Sequence, residues 1–144
     1  MRIQSLSHCK YQHEYHIVWG TKYRRKFLKS YTKQAFESSV FQIVSEHPEL
    51  YVQAMNVDED HVHLQIEIAP SVSVASAVQI LKARSSFHLK QQFKFIREMY
   101  LDGSIWSVGY YSSTIGLNEN QVKKYIEEQG RRDFPTTQKS FGFS

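Results

Sequence analysis

Two histidines one residue apart, His61-Val62-His63, form the sharpest chemical feature of the chain. Residues 61–68 alternate strictly. Val62, Leu64, Ile66 and Ile68 take one side, and His61, His63, Gln65 and Glu67 the other. That is the pattern of a half-buried strand, so the two imidazoles point to the same, polar face. Paired neutral imidazoles are a start on a divalent-metal site, with room left for a third protein group and for substrate oxygens. A two-histidine motif is short, however, and polar outer-face histidines alone would also produce it. A second constellation lies near the end of the chain. Val122, Tyr125, Ile126 and Gln129 fall on one helical stripe at i, i+3, i+4 and i+7. Amphipathic packing accounts for such a stripe. If this helix packs on the open face of the sheet, a phenol and an amide also approach the histidines. Those are the parts of a metal-assisted tyrosine nucleophile.

The elements that must position these groups can be read along the chain. Residues 14–19 (EYHIVW) form a first strand that Gly20 ends. A basic loop, Lys22-Tyr23-Arg24-Arg25-Lys26, follows. Phe36, Val40, Ile43 and Val44 recur at helical spacing before Pro48. Residues 51–57 form a second strand, and Asp58-Glu59-Asp60 turns it into the histidine strand as a hairpin. Ser73 caps a long helix over residues 74–95, with Lys82, Arg84, Lys90, Lys94 and Arg97 spreading positive charge along and just beyond it. Residues 105–114 read as a fourth strand. Asn118 with Gln121 makes an N-terminal capping pair for the last helix, which Gly130 is expected to end. The expected class is α+β: a ferredoxin-like β-α-β-β-α-β antiparallel sheet with one extra C-terminal helix. Residues 1–130 would make the domain and 131–144 a tail.

Composition bounds the rest. The chain has 144 residues, enough for one domain with a real core. Hydrophobic residues make up 41% and aromatic residues 14%, which argues against wholesale disorder. Eighteen Lys and Arg face 14 Asp and Glu, a net charge of +4 that suits a polyanion with stackable bases. The single cysteine, Cys9, excludes an intrachain disulfide and a cysteine-based zinc finger. No apolar run approaches membrane-span length, and the N-terminus lacks a signal-peptide core. A cytoplasmic domain without membrane contact is expected.

The chain resembles the single-tyrosine HUH transposases of small insertion sequences that move as single-stranded DNA. The resemblance is carried by EYHIVWGTKYRRKFL (14–28), DHVHLQIEI (60–68), LKARSS (81–86), IWSVGYYSSTIG (105–116) and VKKYIEEQ (122–129), in the family's order and spacing. It implies that His61 and His63 are metal ligands, Tyr125 the nucleophile, and Gln129 an additional ligand. It implies Mg²⁺ or Mn²⁺, and a homodimer in which the tyrosine helix of one subunit completes the site of the other. The implied substrate is single-stranded DNA with a subterminal hairpin, cut to a 5′-phosphotyrosine and a free 3′-OH and then rejoined. Lys22, Tyr23, Arg24, Arg25, Lys82 and Arg84 are candidates for DNA contact. Glu59 stands where the family pattern often has Pro, and the tail carries no recognisable motif.

Other readings stay open on the residues alone. His61 to Gln65 also fits the HφHφQ pattern of nucleotidyl transferases that use a histidine nucleophile. A sheet with basic loops and aromatics could bind single strands without cutting them. A domesticated nuclease acting on chromosomal repeats would share the chemistry. His16 reads as a hydrogen-bonded structural histidine near the pair. A metal cluster of His8, Cys9 and His13 has little to anchor it.

Overall fold

A computed structural model describes residues 13–134. Its sheet has four strands in the order β2-β3-β1-β4: β1 (His13–Gly20), β2 (Leu50–Val57), β3 (His61–Ile68) and β4 (Tyr111–Ser113). All pairings are antiparallel, the central one running from His13 opposite Ile68 to Gly20 opposite His61. This is the ferredoxin-like order, so the α+β expectation holds. The helices are α1 (Tyr31–Ser45), α2 (Val74–Gln92), α3 (Lys94–Met99) and α4 (Glu119–Asp133).

The period-2 alternation of β3 is realised as expected. Val62, Leu64, Ile66 and Ile68 are buried, while His61, His63, Gln65 and Glu67 are half-buried on the other face. β1 matches it, sending Ile17 and Trp19 into the same core. Phe36, Val40 and Ile43 of α1 and Val78, Leu81 and Leu89 of α2 close that core from behind. Each such side chain contributes about 1.5–3 kcal/mol on burial. The result is a rigid back layer and a front face that presents the histidines. On that front, Val18 of β1 is sealed by Val122 and Ile126 of α4. The stripe that carries Tyr125 and Gln129 therefore packs on the histidine face, as its spacing predicts.

Three boundaries differ from the sequence reading. The expected helix over 74–95 breaks at Phe93, which is extended, and resumes as α3. The Arg97 guanidinium donates to the carbonyls of Lys90 and Gln91, satisfying the end of α2 without a glycine or proline to mark it. The expected strand over 105–114 is paired only at Tyr111–Ser113, with one bridge from Trp106 to Thr21. Between them the chain bends, with Gly109 at φ +91°, and its carbonyls are taken by side chains instead of a neighbouring strand. Finally, α4 runs through Gly130 to Asp133, so Arg131, Arg132 and Asp133 belong to a helix and not to a tail. Gly130 is there for close approach. A Cβ on it would lie 2.2 Å from the Arg24 Cδ.

Candidate active site

The histidine pair occupies a groove of about 630 Å³ on the open face, walled by Met55 and Asn56 of β2 and by Glu119 and Val122 of α4. His61 Nδ1 lies 2.9 Å from Asp60 Oδ1. That bond, with the nearby positive charges of Arg24 and Lys26, outweighs burial and holds the Asp60 carboxyl below its ordinary range. An ionised carboxylate only accepts, so His61 Nδ1 carries the proton and donates it. The lone pair of His61 is thereby placed on Nε2, which lies 3.7 Å from Asp58 Oδ2. A carboxylate behind an imidazole is the arrangement that orients metal-binding histidines and raises their basicity. Asp60 is itself fixed: its Oδ2 is 3.5 Å from Arg24 Nε, and its carbonyl accepts from Thr21 N at 2.9 Å. Sequence reading treats Asp60 only as a turn residue. The signal available was an acid directly before the first histidine.

His63 stands two residues on, its Nε2 3.4 Å from His16 Nδ1. Burial first, then the neighbouring His16 and His61, pushes the His63 pKa down. It is held neutral, as a ligand must be. Among the described residues no group of three or more His, Cys, Asp or Glu gathers around the pair. The donor set is thus the two imidazoles, His61 Nε2 beside Asp58 and His63 Nε2 beside His16, with further positions to be filled by something else. His8 and Cys9 lie outside the described residues. Gln65 is engaged with Gln53 at 3.1 Å and with Glu14, both on the sheet surface.

Tyr125 and Gln129 reach the same face one strand over, and bind each other and the backbone rather than the histidines. Gln129 is almost wholly buried. Its Oε1 accepts at 2.7 Å from the N–H of Gly20, the residue paired with His61. Its Nε2 lies 3.0 Å from the Val108 carbonyl, 3.1 Å from that of Gly109 and 2.9 Å from the Tyr125 hydroxyl. Gly20 permits this approach, since a Cβ there would sit 2.8 Å from Gln129 Oε1. The Tyr125 ring packs on Tyr111 at 5.7 Å. Burial raises the pKa of its phenol, more than Arg132 and the Gln129 hydrogen bond lower it. In this arrangement Tyr125 is a protected phenol, and the Gln129 oxygen is buried and turned to Gly20 N.

The candidate DNA contacts are partly spent on the fold. Lys82 Nζ donates to the Ser107 and Gly109 carbonyls at 2.7 and 2.8 Å, and its burial lowers its pKa to about 8. Arg84 pairs with Glu46 at 3.1 Å. Arg24 lies over Gly130 and pairs with Asp60. Tyr23 and Arg24 adopt left-handed φ of 62° and 54°. That turn is held by the end of α4, where Asp133 Oδ2 accepts from Tyr23 N at 2.8 Å and Phe134 stacks on the Tyr23 ring. Lys22 and Arg25 flank the Tyr23 ring, Arg25 lying between it and Tyr100.

A four-stranded ferredoxin-like sheet is thus helix-packed behind and carries the histidine pair and α4 in front. Comparison with known proteins identifies the family. Residues 9–129 match the family described as IS200-like transposases. The transposase for insertion sequence element IS200 of Salmonella typhimurium is 32% identical over 130 residues, covering 90% of this chain and 85% of that one. The ISDra2 transposase of Deinococcus radiodurans is 31% identical over 120 residues, 83% of this chain and 85% of that one. A candidate transposase of the same organism, known from its crystal structure, superposes with a TM-score of 0.72 at 27% identity over 83% of this chain and 92% of that one. The chain belongs to the IS200-like transposase family. Among the described residues no helix is long and apolar enough to cross a membrane.

Proposed function

We propose that this transposase cuts and rejoins single-stranded DNA at insertion-sequence ends, with Tyr125 as nucleophile and His61 and His63 as ligands of a Mg²⁺ or Mn²⁺ ion. The observation that carries the reading is the tyrosine helix lying on the face where the Asp60 hydrogen bond leaves the His61 lone pair on Nε2. The imidazole donors suit a divalent cation and leave its charge uncancelled, unlike a carboxylate cage. When bound, the ion withdraws charge from the scissile phosphate and orients it. The Tyr125 oxygen attacks phosphorus and its proton passes to solvent; the P–O3′ bond breaks, and the departing 3′ oxygen takes up a proton from solvent. The products are a 5′-phosphotyrosine and a free 3′-OH. A 3′-OH then attacks the phosphotyrosine, restoring a phosphodiester and the phenol. The bond energy is kept throughout, so no nucleotide cofactor is needed.

Gln129 bears on assembly. Both ends of its amide are committed within the chain, so it can ligate only if α4 leaves its seat. A homodimer in which α4 of the partner subunit covers the His61–His63 groove supplies that movement and frees Tyr125 from its buried setting. The proposed substrate is a strand with a hairpin near the element's end.

The test is incubation of the protein with hairpin-bearing single-stranded DNA and Mn²⁺. A covalent protein–DNA band that EDTA prevents is expected; strand cleavage in EDTA at the same rate would overturn the metal assignment. Asp60 gives a second expectation. Asp60→Asn keeps the size of the side chain but removes the charge behind His61 and the Arg24 pair. Mn²⁺ affinity, measured by calorimetry, should fall roughly 10–100-fold. Unchanged affinity would mean that Asp60 does not set the ligand.

A further inference from the structure

We propose that the surface around α3 is a track for single-stranded nucleic acid, leading away from the histidine groove. The short helix separates two open grooves. One, of about 520 Å³, is lined by Arg25, Lys26, Lys29 and Phe95; the other, of about 570 Å³, by Lys90, Lys94, Arg97 and Phe87. Six cations thus flank one helix, and the one carboxylate lining either groove is Glu98, 3.7 Å from Lys94. None of Arg25, Lys26, Lys29, Lys90 or Arg97 has a carboxylate within ion-pair distance among the described residues. Arg25, Lys90 and Arg97 donate to the carbonyls of Met99, Gly103 and Lys90 with Gln91, contacts that hold them without neutralising their charge, whereas Arg24 and Arg84 are paired with carboxylates.

Exposed rings accompany the charges. Phe87 is 60% and Phe95 47% accessible, although each could have been a polar residue at no cost to the core. Cations that follow a phosphate chain, interleaved with flat apolar rings on which bases stack, are what an unpaired strand requires. A paired duplex hides its base faces and has no use for the rings. A second copy of this chain would bring like charge against like charge across a two-fold contact. The track also joins the proposed cleavage site. Leu28 N, next to Lys29, donates to the Glu59 carbonyl at 3.1 Å, and Thr21 N donates to that of Asp60. The loop lining the first groove is therefore anchored to the turn that carries His61. The inference rests on the proposed function only for the direction of the strand, with its cut end at the histidines.

The test compares the full chain with Lys29→Glu/Lys94→Glu and with Phe95→Ala, by anisotropy of labelled oligodeoxythymidine between about 50 and 200 mM salt. Among the described residues the Lys29 and Lys94 side chains donate no hydrogen bond to the backbone, and circular dichroism checks that each variant is folded. The charge reversal should weaken binding at least tenfold and flatten the slope of log affinity against log salt by roughly 1.4, two contacts at about 0.7 each. Phe95→Ala changes no charge and should weaken binding about fivefold with the slope unchanged. Parental affinity and slope in both variants would overturn the track. So would an altered oligomeric state with unaltered affinity, which would make the surface a protein contact. The covalent assay separates this from the proposed function. If the parent forms the adduct and the variants bind normally, the track fails and the chemistry stands. If the parent forms no adduct but the variants lose affinity, the track stands and the chemistry fails.

Discussion

Tyr125→Phe is expected to abolish the covalent protein–DNA species and to lower strand cleavage by on the order of 10³-fold or more, the scale seen when a nucleophile is removed. The fold should barely notice. The phenol ring packs on Tyr111, a contact that Phe keeps. The hydroxyl's recorded partner is Gln129 Nε2, which retains the Val108 and Gly109 carbonyls as acceptors when the hydroxyl is gone. No buried donor is stranded, so the loss should be at most about 1 kcal/mol of stability. Binding of uncut DNA should persist, because no charge changes. The contrast between intact binding and absent chemistry is the discriminating pattern. A variant that still forms the adduct would remove Tyr125 from the mechanism and return the other tyrosines to consideration. A variant whose parent shows no activity either would favour a strand-binding protein.

His61→Ala and His63→Ala form the second expectation. Each should reduce metal-dependent cleavage by roughly 10²-fold or more, exceeding the effect of an outer-shell partner. The double variant should be little worse than either single one, because the two imidazoles act as a unit. Neither residue supports the core: both lie on the half-buried face, opposite Val62 and Leu64. Thermal stability should therefore stay near that of the parent without metal, while stabilisation by added Mn²⁺ should disappear. His61→Ala also leaves Asp60 with Arg24 as its remaining charged partner. If the variants cleaved normally and were still stabilised by Mn²⁺, the ion would have to be held elsewhere. If a phosphohistidine formed on His63, the nucleotidyl-transferase reading would replace the present one.

Much of this was legible in the sequence where one physical signal dominates. β3 is read correctly to the residue because burial on one face enforces period two over its whole length. The packing of α4 on the histidine face follows from Val122 and Ile126, which need an apolar partner, and Val18 supplies it. The misreadings share a cause: a tertiary contact substituted for a local rule. Arg97 caps α2 from outside, so the break at Phe93 has no breaker residue. Lys82 and Gln129 satisfy the carbonyls of residues 107–109, so an aromatic run that reads as strand is mostly bent chain. Gly130 reads as a helix terminator but answers to the bulk of Arg24. The same applies to the site. Residue type singled out His61, His63, Tyr125 and Gln129 as candidates, but could not show that Gln129 is bound to Gly20 and the bend instead of facing the histidines. Nor could it separate cations paired with a carboxylate, such as Arg24 and Arg84, from Arg25, Lys26, Lys29, Lys90 and Arg97, which have no such partner among the described residues.

The central claim is that the strand becomes joined to one particular oxygen. The most direct measurement is peptide mass mapping of the protein after reaction with hairpin-bearing single-stranded DNA and Mn²⁺, followed by nuclease trimming. A nucleotide linked through its 5′-phosphate to Tyr125 is the predicted result. A nucleotide on another residue, or cleavage products with no protein-linked phosphate at any stage, would contradict it.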